Sequence, residues 1–437
     1  MRLRRALNTA ALVFVMFFNV SGGAFTTETL IRNVGPGLGI LMLLLVPLFW
    51  SLPETLLIAE LSSMLPEEGG YYKWVQRAFG RFWAYQNGWW TWMYSLVDMA
   101  IYPVLFNQYL SFFAPSLPAG TRWIVSLVVI WGATAINLRG ASRVGITSIV
   151  SGAFVLAAFA ALSVAAIPHV SHIPWKPFTT PGQSTLGGIG VGISIALWNY
   201  IGWDNPSTVE GEVVNPARSY PRALAITLPL VVAGYLIPLL AGAGATDWTK
   251  WHEGGWPDIA RMAAGALGEP LAVLLAVAGM VSALALFNAL LMSYSRIPLV
   301  MAEDGFLPKP FAKIDARGTP RNAILLSAVF YSVFALMPFG RLVVADVLLY
   351  AMALFLEFGA LVMLRHREPA LRGPFRIPAG LRTVCVLAAV PMIILVGVVI
   401  LEIHDGEYGL PAVLGALVAA ALGPIMYYFS TRSPASA

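Results

Sequence analysis

Apolar stretches long enough to cross a bilayer recur along the whole sequence, near residues 7–31, 36–62, 83–113, 122–138, 144–168, 184–211, 222–245, 264–297, 322–338, 343–364, 383–402 and 410–429. A hydrocarbon core of about 30 Å takes about 20 helical residues to span. Within it, every backbone polar group has to be satisfied by the chain itself. The repetition therefore predicts an all-α membrane protein of twelve transmembrane helices, with no room between them for a large soluble domain. Composition agrees, since 58% of the 437 residues are hydrophobic and only 11% are charged, against roughly 25% charged in soluble domains.

Lys and Arg set the expected orientation. With both termini in the cytoplasm, Arg2, Arg4 and Arg5, the basic residues of 63–81, 139–143, 218–222, 296–321 and 365–382, and Arg432 all lie inside. Only Arg32, Arg122, Lys176, Lys250, Arg261 and Arg341 are left outside, as the positive-inside rule requires of short loops. The expectation is a multi-pass protein of the plasma (cytoplasmic) membrane. The net charge of +5 is then a topological signal, and no basic run with interleaved aromatics points to nucleic acid.

Other features exclude further classes. The N-terminal basic and apolar segment runs on through Thr27, Glu28 and Thr29 without a small-residue cleavage site, so it reads as a first helix and not a signal peptide. Cys385 is the single cysteine and reads as packing. The histidines at 169, 172, 252, 366 and 404 lack metal-ligand spacing. No nucleophile–base pair or cofactor loop is visible, so no enzyme activity, catalytic residue, metal or organic cofactor is expected. Trp89, Trp90 and Trp92 read as an interfacial belt.

Two spans look interrupted at corresponding positions of the first and second groups of five. The first carries Asn19-Val20-Ser21-Gly22-Gly23-Ala24-Phe25, and the sixth carries Asn199-Tyr200-Ile201-Gly202-Trp203-Asp204-Asn205-Pro206. Glycine tolerates open backbone and proline lacks an N–H, and bare backbone survives at membrane depth only where it lines a cavity. A matched pair of breaks points to a transporter's substrate site; the competing reading is that Gly22 and Gly23 merely allow close helix packing.

Glu28, Glu54, Asp98, Asp204 and Glu357 fall within spans. Each costs at least about 2.5 kcal/mol on insertion scales unless paired, protonated or facing water. Asp98, Asp204, Glu28 and Glu54 are the candidates for carrying a coupling proton, with helix-backbone bonding beside Pro53 as the plainer role for Glu54. At the inner ends, Glu60, Glu210 and Glu212 stand near Arg218 and Arg222 in sequence and suggest a salt-bridged inner gate.

The stretches AELSSMLPEEGGYYKWV, GEVVNPARSYPRAL and FNALLMSYSRIPLVMAEDGFLPKPFAKIDARGTP, in that order, resemble the inner-loop and span-eight motifs of the amino acid–polyamine–organocation superfamily of transporters. FFNVSGGAFTTE, DMAIYPVLFNQYL and WNYIGWDNPSTVEGEVVNP look most similar to its polyamine–proton symporters. The resemblance covers essentially the whole chain. It implies a leucine-transporter-like 5+5 inverted repeat with broken helices 1 and 6: residues 1–168 as the first repeat, 184–364 as the second, and 383–437 as helices 11 and 12 with a cytoplasmic tail. It implies substrate contacts from Asn19, Ser21, Gly22, Gly23, Asp98, Tyr102, Trp198, Tyr200, Gly202, Trp203, Asp204 and Asn288, with free N–H groups at Ser21–Gly23 meeting a polar group of the substrate.

Departures shift the expected substrate. Polyamine transporters of the superfamily carry acids just before the Ser-Gly-Gly break and in span eight, where this chain has Asn19 and Asn288. Span five has no mid-membrane lysine, so a coupling proton must use a carboxylate. The expectation is a secondary transporter of amino acids or related amines, proton-coupled and working by alternating access, with a small-molecule substrate and lipid as its partners. The alternatives are a polyamine–proton symporter, an exchanger, and, more remotely, a non-transporting solute sensor.

Overall fold

A chain this apolar can satisfy its backbone in lipid only by hydrogen-bonding within each crossing segment, and it forms helices throughout. The computed structural model describes residues 3–182, 185–335, 340–405 and 409–432. In chain order the α-helices are α1 (Thr9–Val20), α2 (Thr27–Val34), α3 (Pro36–Val46), α4 (Leu52–Met64), α5 (Tyr71–Phe79), α6 (Arg81–Leu110), α7 (Ala119–Asn137), α8 (Ala141–Ala166), α9 (Thr185–Trp198), α10 (Pro216–Ala245), α11 (Trp256–Ala263), α12 (Gly268–Tyr294), α13 (Arg296–Glu303), α14 (Arg321–Phe334), α15 (Gly340–Arg367), α16 (Leu381–Asp405) and α17 (Gly409–Arg432). Among the described residues, the only β pairing is an isolated bridge between Leu7 and Val213. Seven helical stretches there are long and apolar enough to cross a membrane. The chain is an all-helical, multi-pass integral membrane protein.

The outward faces are apolar. Leu48, Phe49, Val128, Val150, Val164, Ile237, Ile393 and Phe429 are all exposed, a surface that needs lipid as its solvent. Cys385, expected as packing, is exposed on α16. Two rings of the tryptophan cluster make a helix contact. Trp89 and Trp90 donate their ring N–H groups to the carbonyls of Ala419 and Ala420 on α17, at 2.8 and 3.4 Å.

Both expected interruptions are present. Helix α1 stops where the N–H groups of Ser21 and Gly22 both donate to Phe17 O, at 2.8 and 3.1 Å. Gly22 and Gly23 then take φ of +68° and +107° before α2 begins at Thr27. A Cβ on Gly22 would stand 2.6 Å from Ser282 Oγ and 2.7 Å from Leu286 Cδ1. The helix ends here, and Gly22 at the same time packs closely against α12.

The second break runs from Asn199 to Asp204, between α9 and a 3-10 segment at Asn205–Glu212. Side chains satisfy its freed backbone groups. Tyr235 Oη donates to Asn199 O at 2.6 Å, Trp50 Nε1 donates to Tyr200 O at 3.2 Å, and Gly202 N donates to Tyr350 Oη at 3.1 Å. Around the two breaks, α12 packs against α6, α8 and α1, while α6 packs against α15.

Candidate functional site

The two breaks meet. Gly202 has φ +96°, and a Cβ there would lie 2.5 Å from the carbonyl oxygen of Asn19. Thr26 Oγ1 donates to Asn199 Oδ1 at 2.9 Å, joining the far end of the first break to the second. Between them lies a cavity of about 40 Å³, closed by α6, α12 and α15. Small-molecule sites run to roughly 300–1,000 Å³, so the cavity has to widen to admit an organic solute.

From the breaks, Asn19, Val20, Ser21, Phe25, Thr26, Trp198, Asn199, Ile201, Gly202 and Asn205 line this cavity; from the long helices come Tyr94, Asp98, Tyr102, Leu105, Leu286, Tyr294 and Tyr350. Asp98 is the one carboxylate in that lining, which contains no Lys, Arg or His among the described residues. Tyr102 Oη donates to Asp98 Oδ1 and Tyr294 Oη donates to Oδ2, both at 2.8 Å. Asn205 Nδ2 donates to Tyr294 Oη at 3.2 Å, and Tyr94 Oη donates to Asn205 Oδ1 at 3.0 Å. Two hydroxyls thus hold the carboxylate, one of them steadied by the Asn205 amide, with no counter-charge among the described lining residues, which is costly unless a cation arrives.

The candidates read from sequence divide. Asn19, Ser21, Asp98, Tyr102, Trp198 and Gly202 come together around the cavity. Gly22 and Gly23 instead pack against α12 and α8. Tyr200 turns away, donating to Leu43 O at 2.9 Å. Trp203 is fully buried outside the cavity lining. Asp204 lies behind the second break, where its Oδ1 is 3.1 Å from Tyr350 Oη.

Asn288 faces α7 and α8 and not the cavity. It donates to Thr147 Oγ1 at 3.1 Å and accepts from Asn137 at 2.9 Å. The expected free amides at the first break are also spoken for: those of Ser21 and Gly22 donate to Phe17 O, and that of Gly23 donates to Ser21 Oγ at 3.1 Å. A substrate carboxylate would have to displace these bonds.

Sequence reasoning missed Tyr94, Tyr294, Tyr350 and Asn205. A tyrosine in an apolar run reads as core, and these are nearly fully buried; the usable signal was Tyr294 within the quoted span-eight motif. Glu28 lies outside the cavity lining and accepts from Gly254 N–H at 2.9 Å, anchoring the loop before α11.

Packed and ionic contacts flank the cavity on two sides. Towards that loop, Phe25 packs on Tyr109 and Phe159, with Phe159 on Trp256, and Trp256 Nε1 donates to Ala24 O at 2.8 Å. On the arginine-rich side the seal is ionic, with partners other than those expected. Glu212 pairs with Arg296, whose Nε donates at 2.8 Å, and Glu60 pairs with Arg365, whose Nε donates at 2.6 Å. Arg218 and Arg222 instead line a surface recess with Asn8 and Thr9. Glu210 is buried, and neither of its carboxylate oxygens has a hydrogen-bond partner among the described residues.

The family described as amino acid permease matches residues 7–419. A probable polyamine transporter of Arabidopsis thaliana is 37% identical over 401 residues, covering 91% of this chain and 79% of the relative. The polyamine transporter RMV1 of the same plant is 36% identical over 398 residues, or 90% of this chain and 80% of the relative. The branched-chain amino acid permease BcaP of Lactococcus lactis subsp. cremoris is 27% identical over 308 residues, 65% of each chain.

Proposed function

This chain belongs to the amino acid permease family, a family of transporters and not of enzymes, and we propose that it is a proton-driven transporter of organic amines, polyamines ahead of amino acids. The observation that carries this is a cavity whose lining holds one carboxylate, Asp98, several tyrosines, Trp198 and, among the described residues, no cationic side chain. An ammonium group supplies the missing counter-charge. Aromatic faces add cation–π attraction of about 0.5–2 kcal/mol, depending on desolvation.

The amino-acid reading had rested on Asn19 and Asn288 standing where polyamine transporters have acids. Asn288 lies outside the cavity lining, so that support weakens, while Asn19 lines it; the amides of Ser21–Gly23, which would meet a substrate carboxylate, are engaged within the chain. The relatives named as polyamine transporters match more of the chain, at higher identity, than the branched-chain amino acid permease does. They support the same order of substrates.

The architecture we infer with this function is a twelve-span, leucine-transporter-like pair of inverted five-helix repeats, 1–168 and 184–364, followed by helices 11 and 12 in 383–437. Both termini lie in the cytoplasm, and Asn19, Ser21, Asp98, Tyr102, Trp198 and Gly202 contact the substrate. Alternating access breaks the aromatic seal and the Arg296 and Arg365 pairs in turn. The test is a thermal-shift series on the purified protein with spermidine, putrescine and neutral amino acids. A ligand at 100 times its dissociation constant stabilises the native state by about 2.7 kcal/mol. The expected order has polyamines above amino acids, and stabilisation by amino acids alone would reverse the reading.

A further inference from the structure

Behind the second break, one hydroxyl serves three polar neighbours. Tyr350 Oη accepts from Gly202 N–H at 3.1 Å. It also lies 3.1 Å from Glu54 Oε1 and 3.1 Å from Asp204 Oδ1. A phenol has a single hydrogen to donate. It can satisfy one of the two carboxyl oxygens; at the other, the hydrogen between the two oxygens has to come from the carboxyl group.

The surroundings agree with this donor count. Glu54 and Asp204 are 0% and 1% exposed. Glu54 Oε2 has no hydrogen-bond partner among the described residues, nor does Oε2 of the neighbouring Glu357, whose Oε1 accepts from Asn87 at 3.2 Å. The titratable groups facing the pair are Glu357 on α15, Tyr94 on α6, Tyr71 on α5 and Tyr220 on α10. Two ionised carboxylates sharing one buried hydroxyl, with no cation among those groups, repel each other, and one of them takes up a proton.

We propose that Glu54 and Asp204 share a single proton across the Tyr350 hydroxyl, and that this bridged pair is where the driving proton is loaded. This deepens, and rests on, the transport reading above. Loading forms one carboxyl O–H bond with a proton taken from hydronium, leaving water; release returns that proton to water on the other side. The bridge is tied to the substrate site, because Tyr350, Gly202 and Asn205 all line the cavity and Asp204 lies in sequence between the last two. Opening the second break moves Gly202 and Asp204 off the phenol together, separating the carboxyls so that the proton is free to leave. Closing it reassembles the bridge only when one carboxyl is protonated.

The experiment uses full-length protein in proteoliposomes, with spermidine as the probe. Wild type and Glu54→Gln are compared for accumulation driven by an imposed pH gradient and for gradient-free exchange. The expected result is that Glu54→Gln loses gradient-driven accumulation down to the level without a gradient while still exchanging spermidine. Full accumulation by Glu54→Gln overturns the proposal, and so does loss of exchange along with accumulation in a folded protein, which makes Glu54 structural.

A second measurement needs no transport. Infrared difference spectra across a pH titration should show a protonated carboxyl C=O band in the wild type that Glu54→Gln or Asp204→Asn removes and Tyr350→Phe shifts. A band unchanged in all three variants overturns the shared proton. A wild type that carries no amine but keeps this band counts against the transport reading and supports the bridged pair.

Discussion

The hydroxyl of Tyr294 on α12 donates to Asp98 Oδ2 on α6 at 2.8 Å while accepting from Asn205 at 3.2 Å. One phenol thereby joins the carboxylate of the cavity to the residue that follows the second backbone break. In the proposed transport cycle this phenol links amine binding at Asp98 to opening of that break.

Removing that hydroxyl separates the two functions. Tyr294→Phe leaves the ring's packing in place and deprives both Asp98 and Asn205 of a partner. Leaving buried polar groups unsatisfied costs about 1–3 kcal/mol, so a lower melting temperature and weaker spermidine binding are expected together. Calorimetric binding equal to wild type would show that Tyr294 does not position Asp98.

Gly202 is irreplaceable for two reasons at once. Its φ of +96° disfavours any L side chain, and a Cβ would meet Asn19 O at 2.5 Å, a backbone atom that cannot swing aside. Gly202→Ala is expected to destabilise by more than the 1–2 kcal/mol of a left-handed residue alone. Gly132→Ala on α7, where a Cβ has open space within 4 Å, should cost nothing. Equal melting temperatures for the two variants would refute the close approach of the breaks.

Length, apolarity and the glycines made the spans and both breaks legible in the sequence, because each follows from backbone chemistry local to a few residues. The faces of the helices were not legible. Whether Asn288 or Tyr294, six residues apart on α12, meets the cavity depends on how that helix is rolled against α6 and α8, and no local pattern fixes that in a helix apolar all round. The arginine partners of Glu60 and Glu212 were not legible for a related reason. Arg218 and Arg222 are close to Glu212 in sequence, yet its partner Arg296 comes from the start of another helix, α13, and Glu60 finds Arg365 across 305 positions.

The buried ion pairs should behave unlike the surface ones. Arg296 and Glu212 are each 1% exposed, so Arg296→Ala strands a buried carboxylate and is expected to cost about 3–5 kcal/mol. Arg77, 56% exposed beside Glu368 at 2.8 Å, should be replaceable by Ala with no measurable loss, solvent having already screened that pair. Denaturation midpoints of the two variants check the contrast. Loss of the Arg296 pair should also raise solvent access to cysteines introduced on the cavity side of the arginine-rich seal.

Amine binding should depend on pH with a definite sign. The ammonium stays charged through the acid and neutral range, whereas Asp98 attracts it only as the carboxylate. Spermidine affinity is therefore expected to fall as pH is lowered through the Asp98 titration and to level off above it. Affinity rising on acidification would mean that the substrate is held by a protonated group.

The measurement that bears hardest on the cationic-amine site is equilibrium binding of radiolabelled spermidine to purified wild type and Asp98→Asn at neutral pH, with a neutral amino acid as competitor. Asparagine keeps the size and can accept from one of Tyr102 and Tyr294 while its NH2 faces the other hydroxyl, so the charge and one accepted hydrogen bond are removed. Saturable spermidine binding by wild type, its loss in Asp98→Asn by about 1.5–3 kcal/mol, or roughly 10- to 150-fold in affinity, as for a hydrogen bond to a charged group, and no competition by the amino acid are the expected results. Undiminished binding by Asp98→Asn, or displacement of spermidine by the amino acid at lower concentration than by putrescine, would contradict them.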